Sequence, residues 1–166
     1  MRRAFGKTIV KLAEKDEKII LISGDVEQEM DEYKKRFPNR YFNMGLCEQS
    51  MISLAAGMAA EGLRPYVYSI TPFLIERPFE QIKLDIDQQN VNVKLVGFSD
   101  YPKLGPTHTE LSGEKLMILF KNITSYFPKN GEETMQSVNE AFNNIGPAFI
   151  SLKSDPTLSR SITESK

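Results

Sequence analysis

Short runs of Val, Ile and Leu alternate along this chain with segments whose apolar residues recur at helical spacing, and that alternation narrows the possible folds more than any other feature. Ile19–Ile22, Pro65–Ile70, Val93–Phe98 and Ala148–Leu152 read as strands buried on both faces, because they lack the polar residue at every second position that a half-exposed strand shows. Each is preceded by a segment of helical period. Phe5, Ile9, Val10, Leu12 and Ala13 mark the first helix, and further helices are expected over Cys47–Glu61, Phe73–Gln88, Glu114–Asn122 and Glu132–Ile145. Tyr41–Met44 and Ile123–Phe127 complete the strand series. Buried strands separated by helices pair in parallel through right-handed crossovers, which place helices on both faces of the sheet. The expected fold class is therefore α/β, a three-layer sandwich with a mostly parallel sheet.

At 166 residues the chain has the length of one domain. The boundary falls after Lys153: residues 1–153 form the expected domain, and residues 154–166, rich in Ser, Thr and Lys, form a polar C-terminal tail with too little apolar material to fold separately. Lys and Arg total 21 against 22 Asp and Glu, spread along the chain, so no basic face points to nucleic acid or to an acidic membrane. Cys47 is the only cysteine, which leaves no internal disulfide and no paired zinc ligands. No apolar run reaches membrane-spanning length, and the expected location is the cytoplasm.

The helix that starts near Cys47 is apolar almost all round, with Met51, Ile52, Leu54, Ala55, Ala56, Met58, Ala59 and Ala60, so it is expected to be central and buried. Gly62 stands where a left-handed cap would end it. Glu48 lies in its first turn, where the helix dipole favours a carboxylate; taken alone it reads as a helix-terminal acid. His108, the only histidine, sits in a loop that follows a strand, the end of an α/β sheet where ligand-contacting groups gather; an exposed loop histidine is an equal reading. Asp25 has a similar strand-end position and is also a common turn residue. Phe73 and Phe79 flank Arg77 and offer ring faces, although aromatics at this spacing more often fill a core. Cys47 neighbours an acid that opposes a thiolate, so it reads as a packed small hydrophobe.

Three stretches, taken together, resemble the pyrimidine-binding domain of the transketolase family, which includes deoxyxylulose-phosphate synthase and is more distantly similar to beta subunits of 2-oxo-acid dehydrogenases. The first runs from Ser23-Gly24-Asp25-Val26 to Asn43-Met44-Gly45-Leu46-Cys47-Glu48-Gln49-Ser50-Met51 and resembles the block whose glutamate acts on the aminopyrimidine of thiamine diphosphate. The second, Ser69 to Gln81, is similar to the segment that gives the pyrimidine its aromatic wall, with Phe73, Leu74 and Phe79 competing for that role. The third, Gly105-Pro106-Thr107-His108, matches the loop whose histidine faces the donor sugar.

The resemblance implies the thiamine-diphosphate-binding pyrimidine-domain fold. It implies Glu48 and His108 as catalytic residues, and Asp25, Met44, Leu46, Glu48, Phe73, Leu74, Arg77 and Phe79 about the cofactor. It further implies thiamine diphosphate and Mg2+ as cofactors, the metal ligands lying on a diphosphate-binding transketolase-like partner subunit, and a homo-oligomer in that partner's absence. The expected reaction is transfer of a two-carbon unit from a ketone donor to an aldehyde acceptor, with a sugar phosphate or oxo acid as the small-molecule substrate. Leu104 stands where the family usually has aspartate before the Gly-Pro-Thr-His loop. An oxo-acid decarboxylase subunit and a non-catalytic assembly module are the alternative readings. A dinucleotide-binding domain would need a Gly-x-Gly-x-x-Gly turn after the first strand, and Ser23-Gly24-Asp25-Val26-Glu27 does not provide one.

Overall fold

The computed structural model describes residues 1–99 and 104–154. Six strands, all parallel, lie in the order β2-β1-β3-β4-β6-β5. The four inner strands are β1 (Ile19–Ser23), β3 (Arg64–Ile70), β4 (Lys94–Phe98) and β6 (Ala148–Leu152), and β1, β4 and β6 are buried at every residue. The edges are β2 (Tyr41–Asn43) and β5 (Thr124–Tyr126), three residues each. Edges this short leave few backbone groups open to pairing with another chain.

Two apolar layers cover the sheet, as the alternation of strands and helices predicts. On one face α1 (Arg2–Lys15) and α7 (Gly131–Asn143) pack Phe5, Ile9, Leu12, Val138 and Ala141 against Tyr66, Tyr68 and Val96, and α2 (Asp31–Arg36) adds the buried Tyr33. On the other, α3 (Glu48–Ala60), α4 (Thr71–Ile75) and α6 (Gly113–Met117) join Met51, Ile52, Leu74 and Met117 to Ile22, Val67 and Leu95. Successive β3 residues Tyr66, Val67 and Tyr68 go to opposite layers, the period of two expected of a strand.

Three local expectations are corrected. First, α3 is not buried all round: Ser53, Leu54, Gly57 and Ala60 are exposed, because only the Met51, Ile52, Ala55 and Ala56 side meets the sheet. Its end is as expected: Gly62 has φ +85°, its N–H donates to Ala59 O at 3.0 Å, and Leu63 N–H donates to Met58 O at 3.0 Å, the Schellman pattern. Second, the helix expected over Phe73–Gln88 is broken. It begins earlier, at Thr71 with Pro72 in its first turn, stops at Ile75, and resumes after Pro78 as α5 (Phe79–Gln81) and a π-helical turn, Ile82–Asp87. Pro72 suits a first turn because its missing N–H is not needed there, whereas Pro78 withholds a donor where the helix would have continued. Third, the helix expected over Glu114–Asn122 ends at Met117. Asn122 is drawn away by the buried Asp87, whose Oδ1 accepts its N–H and whose carbonyl accepts its side-chain amide, both at 2.7 Å.

The expected polar tail falls, apart from Ser154, outside the described residues. No helix among the described residues is long and apolar enough to cross a membrane.

Candidate functional site

Parallel strands bring all their carboxyl ends to one edge of the sheet, and the loops leaving that edge carry the candidate residues. After β1 the chain turns through Gly24 and Asp25. A Cβ on Gly24 would come within 3.0 Å of Met51 Sδ and 3.1 Å of Ser69 Oγ, so glycine lets this loop lie against α3. After β2, Met44 N–H donates to Ser23 O at 2.9 Å, and the chain passes through Gly45 at φ +68° into α3. That turn sets Glu48 in the first turn of α3, its side chain 5% exposed.

The partner of Glu48 comes from the broken stretch after β3. Arg77 Nη1 donates to Glu48 Oε1 at 3.0 Å, and the Arg77 guanidinium lies over the ring of Phe73, 3.7 Å from its centroid. Phe73, itself buried in the core layer, also meets His108, with ring centroids 4.8 Å apart and planes at 67°. His108 ends a tight turn, Pro106–His108, that opens at Gly105 with φ +96°, and its Nδ1 is 3.1 Å from Thr107 Oγ1. Glu76 ties this loop to α4, since its Oε1 accepts the Leu111 N–H at 2.9 Å. Glu48, Arg77, Phe73 and His108 thus form one continuous contact chain: a buried carboxylate, a planar cation, an aromatic face and an imidazole.

The remaining sequence candidates lie at varying distances from this chain of contacts. Asp25 is exposed at φ +57°, Met44 is half-buried against the α3 layer, and Leu46 is 71% exposed. Leu74 is fully enclosed in the core layer beneath α3, where no ligand face is available to it. Phe79 points elsewhere: its ring packs on Phe120 with centroids 5.0 Å apart, and the two help line a cavity of about 590 Å³ that also touches Asp87 and Asn122. Of the three residues competing to stack on a planar ring, Phe73 alone presents its face beside Glu48.

Sequence reasoning missed the two residues that hold the turn before Glu48. Asn43 Oδ1 accepts the N–H groups of Gly45 at 2.9 Å and Asp25 at 3.3 Å, bridging the loops after β1 and β2. Its amide nitrogen donates to Glu27 Oε1 at 3.0 Å, and Glu27 also receives Tyr41 Oη at 2.8 Å and Lys34 Nζ at 3.0 Å. The hydrogen bond from Lys34, then those from Tyr41 and Asn43, hold the Glu27 carboxyl down at about 2. Asn at a strand end is the only signal the sequence carried, and it is a signal shared by many turns.

The cluster offers a carboxylate acceptor beside an aromatic face, which suits a planar heterocycle bearing an N–H. It offers no metal site: no group of three or more His, Cys, Asp or Glu able to hold an ion occurs among the described residues.

Residues 1–155 match the family model described as "Transketolase, pyrimidine binding domain". One of the subunits of the apulose-4-phosphate transketolase of Actinobacillus succinogenes is 38% identical over 121 residues, covering 71% of this chain and 39% of that protein. The 1-deoxy-D-xylulose-5-phosphate synthases of Oleidesulfovibrio alaskensis and Aquifex aeolicus are 35% and 37% identical, over 88% and 78% of this chain but only 23% and 21% of their own. The chain therefore spans well under half the length of these curated relatives. Among solved structures, a split gene transketolase described as an inactive beta4 tetramer superimposes with a TM-score of 0.84 at 29% identity, covering 93% of this chain and 51% of that one. The transketolase of Campylobacter jejuni superimposes with a TM-score of 0.81 over 92% of this chain and 25% of its own, at 18% identity, a likeness of fold.

Proposed function

Because this chain belongs to the transketolase pyrimidine-binding domain family, we propose that it supplies the pyrimidine half of a thiamine-diphosphate site in a transketolase-like transferase. The diphosphate and Mg2+ are held by a separate diphosphate-binding subunit, and the assembled enzyme moves a two-carbon unit from a ketone donor to an aldehyde acceptor. The observation that carries this reading is the juxtaposition of the buried Glu48 carboxylate with the face of Phe73.

When bound, thiamine diphosphate supplies a nucleophilic carbon for cleaving the bond beside a ketone. The chain's own residues do the rest. Glu48, out of water, would share a proton with the pyrimidine N1′, donating it as the carboxylic acid and accepting the N1′–H hydrogen bond as the carboxylate, general acid–base action of a kind worth about 10²–10⁴-fold. Phe73 gives the ring a surface on which to stack, fixing its plane. His108, in ring contact with Phe73, would hydrogen-bond an oxygen of the donor.

Glu48→Gln in the enzyme assembled with its diphosphate-binding subunit tests the reading, because an amide cannot exchange the required proton. Hydrogen–deuterium exchange at carbon 2 of the bound cofactor should slow by about 10²-fold or more. Exchange at the wild-type rate would remove Glu48 from this role. His108→Ala should lower donor turnover while leaving cofactor affinity close to wild type.

A further inference from the structure

Arg77 touches both groups that the preceding reading assigns to the pyrimidine ring, and it touches them in the way that ring would. A guanidinium is planar and stacks on aromatic faces, and its N–H groups point in its own plane toward carboxylates. Here one such group lies 3.7 Å from the Phe73 centroid while donating to Glu48 Oε1 at 3.0 Å. An aminopyrimidine ring stacked on Phe73 and hydrogen-bonded to Glu48 would need the same layer of space and the same carboxylate oxygens.

We infer that Arg77 is an internal stand-in for the aminopyrimidine: in the unloaded chain it closes the cofactor's seat, and cofactor binding displaces it. The inference rests on the assignment of Glu48 and Phe73 given under Proposed function.

The geometry also gives Arg77 a way out. Its side chain is 42% exposed while that of Glu48 is 5% exposed, so one partner faces solvent and the other stays in the protein. It stands on the link Glu76–Pro78 between α4 and α5, where its backbone N–H donates to Pro72 O at 3.4 Å, so its anchor is the main chain and its side chain can swing from that fixed point. The contact has a purpose in the unloaded chain as well. A carboxylate as buried as Glu48 is costly to leave unpaired, and Arg77 pairs it until a ring arrives.

The test titrates the full chain with thiamine diphosphate and, separately, with 4-amino-5-hydroxymethyl-2-methylpyrimidine, the ring half of the cofactor, following ligand resonances by NMR. Arg77→Ala should tighten both by roughly 3- to 10-fold, the modest gain expected when a half-exposed charged hydrogen bond no longer competes. Arg77→Met, which keeps the apolar stem without the donor, should do the same. Unchanged or weaker binding, or no saturable binding by either variant, overturns the inference. Phe73→Ala and Glu48→Gln separate its failure from failure of the site assignment. If they weaken binding while Arg77→Ala does not tighten it, the seat is right and the stand-in wrong. If neither of them alters binding, the seat itself is wrong.

Discussion

Two buried ionisable side chains sit at opposite edges of this sheet, and their polar ends are satisfied in different ways. Lys94 begins β4 at the amino edge, 1% exposed, and its ammonium donates to the main-chain carbonyls of Asn144, at 2.8 Å, and Gly146, at 2.5 Å, in the turn between α7 and β6. Glu48 lies at the carboxyl edge and is neutralised by one half-exposed side chain, Arg77. Main-chain carbonyls cannot leave without unfolding the turn; a surface arginine can leave at the cost of one exposed ion pair. The permanent arrangement belongs to the part that only holds the fold, and the replaceable one to the part proposed to bind a ligand.

The largest effect expected from this contrast is on stability. Lys94→Ala removes the donor to two part-buried carbonyls and vacates the volume of a long buried side chain, and should lower unfolding free energy by roughly 3 kcal/mol. Glu48→Gln should lower it by less than about 1 kcal/mol, since Arg77 can turn into water. Urea denaturation of both variants decides the matter. Comparable losses at the two sites would erase the distinction.

Next in size is a dependence on pH that belongs to Lys94 alone. Burial, with a smaller contribution from the charge of Arg64, pulls its amine down to about 7 from 10.5, although the two carbonyls favour the charged form. Between these values the unfolded chain binds more protons than the folded one, so this group makes the protein more stable as pH rises from about 7 toward 10. The slope is at most about 1.4 kcal/mol per pH unit for one proton. Above pH 10 the buried Tyr33, pushed up to about 12 chiefly by burial, contributes the opposite slope. Denaturation midpoints of wild type and Lys94→Met across this window should diverge, with the wild type gaining. Parallel curves would mean that Lys94 keeps its proton throughout.

The difference between the edges also explains what the sequence could and could not reveal. The inner strands and the layers were legible because burial on both faces writes itself into unbroken runs such as Leu95, Val96 and Phe98, and Gly62 ended α3 where a left-handed residue was needed. Motif resemblance drew attention to Glu48 and His108, and to Phe73 only as one of three competitors with Leu74 and Phe79. The pairing of Glu48 with Arg77 was not legible, because it joins residues 29 apart across two loops. The outer face of α3 misled because small apolar residues such as Ala60 and Gly57 look the same in sequence whether covered or open. Lys94 drew no notice although it lies inside the run Val93–Phe98 read as a buried strand: nothing in that run shows which carbonyls would receive its ammonium, and the α7–β6 turn supplies them from residues some 50 positions away.

The smallest effect on stability, and the sharpest test of the contrast, lies with Asn43. Its contacts with Glu27, Gly45 and Asp25 are solvent-exposed, so Asn43→Ala should cost no more than about 1 kcal/mol of unfolding free energy. Yet the Gly45 N–H it accepts belongs to the turn that delivers Glu48 to the head of α3. Freed of that hydrogen bond, the turn should sample other positions, and the backbone amides from Gly45 to Cys47 should exchange with deuterium faster while those of β3 and β4 do not change. Thiamine-diphosphate affinity should fall several-fold in step with that loosening, because binding would then also have to order the turn. Asn43→Asp keeps the acceptor for Gly45 and Asp25 but sets a second carboxylate against Glu27, so it should protect the Gly45 amide better than alanine does. If Asn43→Ala instead destabilised the whole chain as much as Lys94→Ala, the carboxyl edge would be as rigidly built as the amino edge, and an exchangeable partner for Glu48 would lose its physical basis.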